Sequence, residues 1–166
     1  MADRYHIRAA RDSDVSQASA LLSQVVSSLS YYNEDARNTE IAKFDKKGLG
    51  SFVADPTKMV LIAEASAQEP RQRLAGLLIA GEDDRLMWLN WFIVHPTHRR
   101  CGVGTQLVDA LAAAAREHRC HKIWCDSRVE NLPSAHLLLR EGFKVIARVN
   151  NHWYGQDFYL WERSLA

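Results

Sequence analysis

The sequence predicts an α/β fold: one domain, residues 1–166, built on a mixed central sheet of about seven strands flanked by about four helices. Three observations predict it. Short apolar runs rich in β-branched residues alternate with longer segments that are apolar at every third or fourth position. The second half reads strand, helix, strand, helix, strand, which implies a parallel pair inside a mixed sheet. And 166 residues supply one compact core but not two ordinary ones.

The elements follow in order. RYHIRAA (Arg4 to Ala10) is a short first strand. The next segment carries Val15, Ala18, Leu22, Val25 and Leu29 at helical spacing, with Asp12 or Ser13 as its cap. A less regular stretch holds a second helix, Glu34 to Lys46, ended by Gly48 and Gly50. MVLIAEA (Met59 to Ala65) and RLAGLLIAG (Arg73 to Gly81) are strands, joined by a hairpin-like loop over Ser66 to Gln72. RLMWLNWFIVH (Arg85 to His95) is a long aromatic strand. Gly102 to His118 is an amphipathic helix with an alanine-rich face.

HKIWCDS (His121 to Ser127) is the next strand. NLPSAHLLLREGF is a helix starting at Asn131, with Pro133 in its first turn and Gly142 as its stop. FKVIARVN and QDFYLWERSL close the sheet.

Composition narrows the function. Lys and Arg number 21 against 20 Asp and Glu, so the net charge of +1 points to neither nucleic acid nor an anionic membrane. No apolar run has the length of a membrane span. The three cysteines, Cys101, Cys120 and Cys125, form an odd set behind an N-terminus without signal character, which points to a reducing cytoplasm. Cys120, His121 and Cys125, with His118 nearby, fit no zinc spacing. Trp88, Trp91 and Phe92 have no basic surroundings and read as core rather than as a base-stacking platform.

Any anion site must therefore be local, and HPTHRRCGVGTQL (His95 to Leu107) is the candidate. It lacks the Gly-Lys-Ser/Thr of a P-loop. It also lacks the third glycine of a dinucleotide fingerprint, where Leu107 stands. Its physics still suits a phosphate. Glycines admit a ligand close to the backbone, the opening turn of a helix offers unpaired N–H groups, and Arg99 and Arg100 add charge.

The spacing Arg99-x-x-Gly102-x-Gly104, after a strand ending Val94-His95-Pro96, resembles the Q/R-x-x-G-x-G/A acyl-CoA motif of the GNAT N-acetyltransferase superfamily. Downstream, Asn131, Leu137 and Gly142-Phe143 resemble the family's N-x-x-A-x-x-L-Y-x-x-x-G-F segment at unchanged spacing. The resemblance runs from about Tyr5 to Glu162. It implies acetyl-CoA as the acyl donor, with its pyrophosphate on Arg99, Arg100, Cys101, Gly102, Val103, Gly104 and Thr105. It places the pantetheine arm along the backbone of Phe92, Ile93 and Val94, against Asn131, Ser134 and Leu138. A homodimer is common in the family, and the Cys and His spacing noted above gives no reason to expect a metal.

The sequence departs from the family at the catalytic positions. Asn90 stands where many members place a strand Glu, and Leu138 where many place a Tyr acid. Tyr154 and His136 are the substitute proton carriers, with Asn90 beside them. Tyr31, Tyr32, Glu34, Asn90, His152 and Tyr154 are the candidate acceptor-lining residues, because acidic and aromatic groups suit an ammonium. The reading is acetyl transfer to a primary amine of a small molecule. Its alternatives are a protein N-terminus or lysine as acceptor, and a non-catalytic acyl-CoA-binding module.

Overall fold

The computed structural model describes residues 4–66 and 73–166. Seven strands form one sheet in the order β1-β2-β3-β4-β5-β7-β6. The strands are β1 (Tyr5–Ala9), β2 (Lys58–Ala65), β3 (Leu74–Asp83), β4 (Leu86–Val94), β5 (Lys122–Arg128), β6 (Lys144–Val149) and β7 (Phe158–Ser164). Five helices flank them: α1 (Val15–Ser27), α2 (Glu34–Lys43), α3 (Lys46–Ala54), α4 (Val103–Glu117) and α5 (Leu132–Arg140). The expected parallel pair is β4 with β5; every other neighbouring pair is antiparallel.

β3 is buried along most of its length, which is why its sequence is nearly all apolar rather than alternating. Leu78 and Ala80 pack with Leu107 and Leu111 of α4 on one face. Leu77 and Ile79 pack with Leu22 of α1 and Leu49 of α3 on the other. The strand is thus sealed between two apolar layers, and burial of this kind contributes about 1.5–3 kcal/mol per large side chain.

Two local expectations are corrected. Gly48 and Gly50 do not end the second helix; they lie inside α3. The break comes earlier, where Phe44 is fully buried and Asp45 restarts the chain as a helix by accepting a 2.8 Å hydrogen bond from the Gly48 amide. Cap chemistry at Asp45 therefore outweighs the helix-breaking tendency of glycine. Likewise neither Asp12 nor Ser13 caps α1. Residues Asp12–Asp14 form a short 3-10 turn, and Asp14 organises it by accepting from Arg8 at 2.7 and 2.9 Å and from the Arg11 amide at 2.8 Å. Of the expected Ser66–Gln72 connection, residues 67–72 lie outside the described residues.

Two features of β4 position the site. Its parallel pairing with β5 runs only from Leu86–Lys122 to Leu89–Cys125, although both strands continue. Beyond that point the strands diverge, leaving a gap in the sheet. Against β3, Ile79 faces Trp91 while Ala80 faces Leu89, so Asn90 is the extra residue of a β-bulge at the mouth of that gap. Bulges of this kind re-aim side chains next to sites.

Candidate active site

A cavity of about 1260 Å³ opens at the gap between β4 and β5. That exceeds the usual 300–1,000 Å³ of a small-ligand site and has room for an elongated ligand beside a second one.

One part of its wall is the glycine turn. Gly102 caps α4 at φ +83°, in the left-handed region that suits glycine, and no side-chain hydrogen bond closes the helix N-terminus. The first-turn amides are thus left for a ligand. Gly104 has a different reason to be glycine: a Cβ there would lie 2.6 Å from Leu137 Cδ1, so its bareness lets α4 meet α5. Arg99 and Arg100 line the cavity and are exposed. Arg140, which the sequence reading passed over, adds a third cation from α5. Its Nη2 donates to the Thr105 hydroxyl at 2.6 Å, and that hydroxyl donates to Glu141 at 2.9 Å.

Phe92, Ile93 and Val94 of β4 also line the cavity, as do Val103 and Thr105. From α5 come Ser134, His136 and Leu138, preceded by Asn131. Asn131 caps α5, its side-chain oxygen accepting from the Ser134 amide at 3.2 Å. Cys101 is not among the lining residues; it packs beside the core near Tyr5.

A second part of the wall brings together segments far apart in sequence. Tyr154 donates to Glu40 Oε1 at 2.6 Å, and Trp91 Nε1 donates to Glu40 Oε2 at 2.8 Å. Trp153 Nε1 donates to Asp126 Oδ2 at 2.8 Å. The link before α2 is stitched to the link between β6 and β7: Asn33 Nδ2 donates to the Tyr154 carbonyl at 2.9 Å, and Gln156 Nε2 to the Tyr31 carbonyl at 3.1 Å. Arg128, itself buried, donates to the same Tyr31 carbonyl at 3.0 Å and to the Asp157 carbonyl. Tyr154 holds φ 58°, unusual for a bulky residue, within this web.

The electrostatics follow from burial. Burial pushes the Tyr31 hydroxyl up to about 12, against the pull of Arg99 and Arg128. It also holds Tyr32 far above the ordinary tyrosine range. Tyr154 is raised by burial and then by the Glu40 carboxylate that its proton faces. Burial likewise lifts the Asp126 carboxyl above the usual range, with the Trp153 bond pulling the other way.

Tyr31, Tyr32, Asn90 and Tyr154 thus share one cavity. Glu34 and His152 are not in its wall. Glu34 is exposed at the start of α2, and His152 packs against Trp153 at 4.4 Å between ring centroids. The residues missed are Glu40, Asp126, Trp153 and Arg140. For Asp126 a signal existed: a lone carboxylate inside an otherwise strand-like HKIWCDS run. Among the described residues, no group of three or more His, Cys, Asp or Glu is placed to hold a metal ion, and no helix is long and apolar enough to cross a membrane.

The family model for acetyltransferases of the GNAT family matches residues 25–143, more than half of the chain. The chain belongs to the acetyltransferase (GNAT) family. As a family member it is an acetyl-CoA-dependent acetyltransferase. No curated protein matches it by sequence. Among solved structures, the acetyltransferase resembles a spermidine N-acetyltransferase SpeG chimera from Vibrio cholerae and hSSAT: 18% identity, TM-score 0.77, covering 98% of this chain and 96% of that one. It resembles PaiA N-acetyltransferase from Thermoplasma acidophilum in complex with coenzyme A: 15% identity, TM-score 0.78, covering 96% and 98%. The ribosomal-protein-S18-alanine N-acetyltransferase from Escherichia coli is similar at 14% identity and TM-score 0.73, covering 98% and 94%. At these identities the likeness establishes the fold that the acetyltransferase shares with them.

Proposed function

We propose that this acetyltransferase moves acetyl from acetyl-CoA to a primary amine of a small molecule by direct attack. The observation that carries the acceptor is the second wall group. Two carboxylates, Glu40 and Asp126, stand among Tyr31, Tyr32, Trp91 and Trp153. Carboxylates and aromatic faces attract an ammonium by charge and by cation–π contact. The Asn33–Tyr154 and Gln156–Tyr31 bonds join the two segments that carry Tyr31, Tyr32, Trp153 and Tyr154 of this wall, and a wall tied in this way supports a small amine over a protein chain.

The donor end is argued from charge and open amides. The first turn of α4, with Arg99, Arg100 and Arg140, matches a pyrophosphate. Asn131, Ser134 and Leu138 line the same cavity as Phe92 to Val94, which supports placing the pantetheine arm there. When bound, the cosubstrate supplies the thioester carbonyl that the amine attacks. Asn90 is neutral and serves to orient rather than to take a proton. His136 is exposed on α5, and we assign it no step. Tyr154 spends its proton on Glu40, so we read it as a wall residue that fixes that carboxylate. The spermidine and the S18-alanine enzymes among the similar structures act on a small amine and on a protein, respectively. The joined wall segments favour the first class. The three free cysteines, two of them buried, support a cytoplasmic setting, and the single seven-stranded sheet supports reading the chain as one domain.

The test is thiol release from acetyl-CoA across a panel of monoamines, diamines, arylalkylamines and peptides. Small cationic amines should be preferred. Faster turnover of peptide N-termini or lysines would replace the small-molecule reading. Binding of acetyl-CoA with no thiol release from any amine would replace the enzyme by a binding module.

A further inference from the structure

The acetylation of an ammonium needs a group that removes a proton before attack, and the strand gap contains one. Leu89 and Cys125 are the last parallel partners of β4 and β5. The next residues, Asn90 and Asp126, therefore flank the point where the strands part, and both line the cavity. Asn90 has no titratable group. Asp126 is a carboxylate in the same place on the opposite lip.

We infer that Asp126 is the proton acceptor for the incoming amine, acting through Oδ1. This rests on the amine-acetylation reading above. Among the described residues Trp153 donates to Oδ2 at 2.8 Å and none donates to Oδ1. Glu40, the other carboxylate of this wall, already holds a donor on each oxygen, Tyr154 and Trp91. Asp126 thus keeps an oxygen for a substrate while Trp153 fixes its orientation, as a positioned base requires.

The protons balance simply. One ammonium N–H bond breaks, its electron pair stays on nitrogen, and the proton bonds to Asp126 Oδ1, leaving later to solvent. The nitrogen lone pair forms the C–N bond while the C–S pair departs with sulfur. The second proton passes from nitrogen to that sulfur, giving amide and free thiol.

The charged and titratable groups around Asp126 are Glu40 and Lys43 from α2, Tyr32 before α2, and His152 and Tyr154 between β6 and β7. Burial is the largest influence and raises the carboxyl above the usual carboxylate range, the direction that makes it a stronger proton acceptor. Because the folded state then holds the proton more tightly than the unfolded chain, this group's contribution to stability is present below the unfolded pKa and is lost as pH rises through the folded one.

The experiment has two arms. In the first, Asp126→Asn should lower kcat/KM for the best amine about a hundredfold and abolish the acid limb of the parent's pH profile. The rise in melting temperature with coenzyme A should stay at the parent's value. The double variant Asn90→Glu/Asp126→Asn, which returns a carboxylate to the other lip, should regain part of the loss. A parent-like rate and acid limb in Asp126→Asn would overturn the proposal.

The second arm uses the protein without ligand. Melting of Asp126→Asn relative to the parent should improve as pH rises above the unfolded carboxylate value of about 4, since the variant no longer ionises a partly buried group. A uniform loss at every pH would make Asp126 a structural partner of Trp153 and overturn the proposal. Should Asp126→Asn fail to fold, Trp153→Phe decides. Loss of the indole donor should move the acid limb to higher pH, and an unmoved limb overturns the proposal. If the parent turns over no amine, the acetylation reading fails by itself, while the melting series still reports whether Asp126 holds a raised proton.

Discussion

The Tyr154 hydroxyl donates a 2.6 Å hydrogen bond to Glu40 Oε1, joining residues 114 positions apart across the cavity. It ties the segment between β6 and β7 to α2, and Trp91 completes the grip on the same carboxylate from β4. Three elements thus hold one acid in place.

That relationship predicts the behaviour of Tyr154→Phe. The ring stays and one charge-assisted bond is lost, so stability should fall by about 1.5–3 kcal/mol at most, less where solvent reaches the pair. Glu40 should then turn, raising KM for the amine several-fold while kcat stays within a few-fold of the parent. Steady-state kinetics read both. A drop in kcat of about tenfold or more with unchanged KM would instead make Tyr154 the acid that protonates the leaving thiolate.

The glycine turn predicts two different failures. Gly102→Ala forces a Cβ into a left-handed conformation with open space around it, so the cost is backbone strain of about 1–2 kcal/mol. At roughly 2–4 °C per kcal/mol, its melting midpoint should drop by several degrees. Gly104→Ala instead pushes Leu137, itself a cavity residue, out of its place. Coenzyme A at a hundred times its dissociation constant should stabilise the parent by about 2.7 kcal/mol. That gain should shrink in Gly104→Ala. An undiminished gain would mean that Leu137 yields without disturbing the donor end.

Asn131 can be split between its two roles. Its side-chain oxygen caps α5 and its amide group remains for a ligand. Asn131→Asp keeps the cap, worth about 1 kcal/mol, and replaces the amide donor by a charge. The melting temperature should hold while the dissociation constant for acetyl-CoA rises at least several-fold in calorimetry. Equal affinity would leave Asn131 as a cap alone.

The start of α1 gives a prediction in pH. The Arg8 guanidinium holds the Asp14 carboxyl below the usual carboxylate range, against the opposing effect of burial. The contribution is therefore present above the unfolded value of about 3.9 and is lost as pH falls through the lower folded value. In denaturant titrations, Asp14→Asn should be less stable than the parent at pH 7, with the difference narrowing below about pH 4. A constant difference down to pH 2 would assign the effect to packing instead.

The sequence by itself determined most of the elements and the glycine turn before α4, because both are written in neighbouring residues. The apolar rhythm of Val15, Ala18, Leu22 and Val25 makes a helix wherever it packs, and Arg99, Arg100, Gly102 and Gly104 form one turn within six residues. Local chemistry was misread at two places: at Asp45, where a cap restarts a helix that Gly48 seemed to end, and before α1, where Asp14 rather than Asp12 or Ser13 organises the turn. Tertiary structure alone decided the wall around Glu40 and Asp126. Glu40, Asp126 and Trp153 meet because β4 and β5 run parallel and part after Leu89 and Cys125, and because β7 inserts between β5 and β6 and swings its preceding link over α2. Strand register and strand order are set by packing over the whole chain, so no short window of sequence contains them.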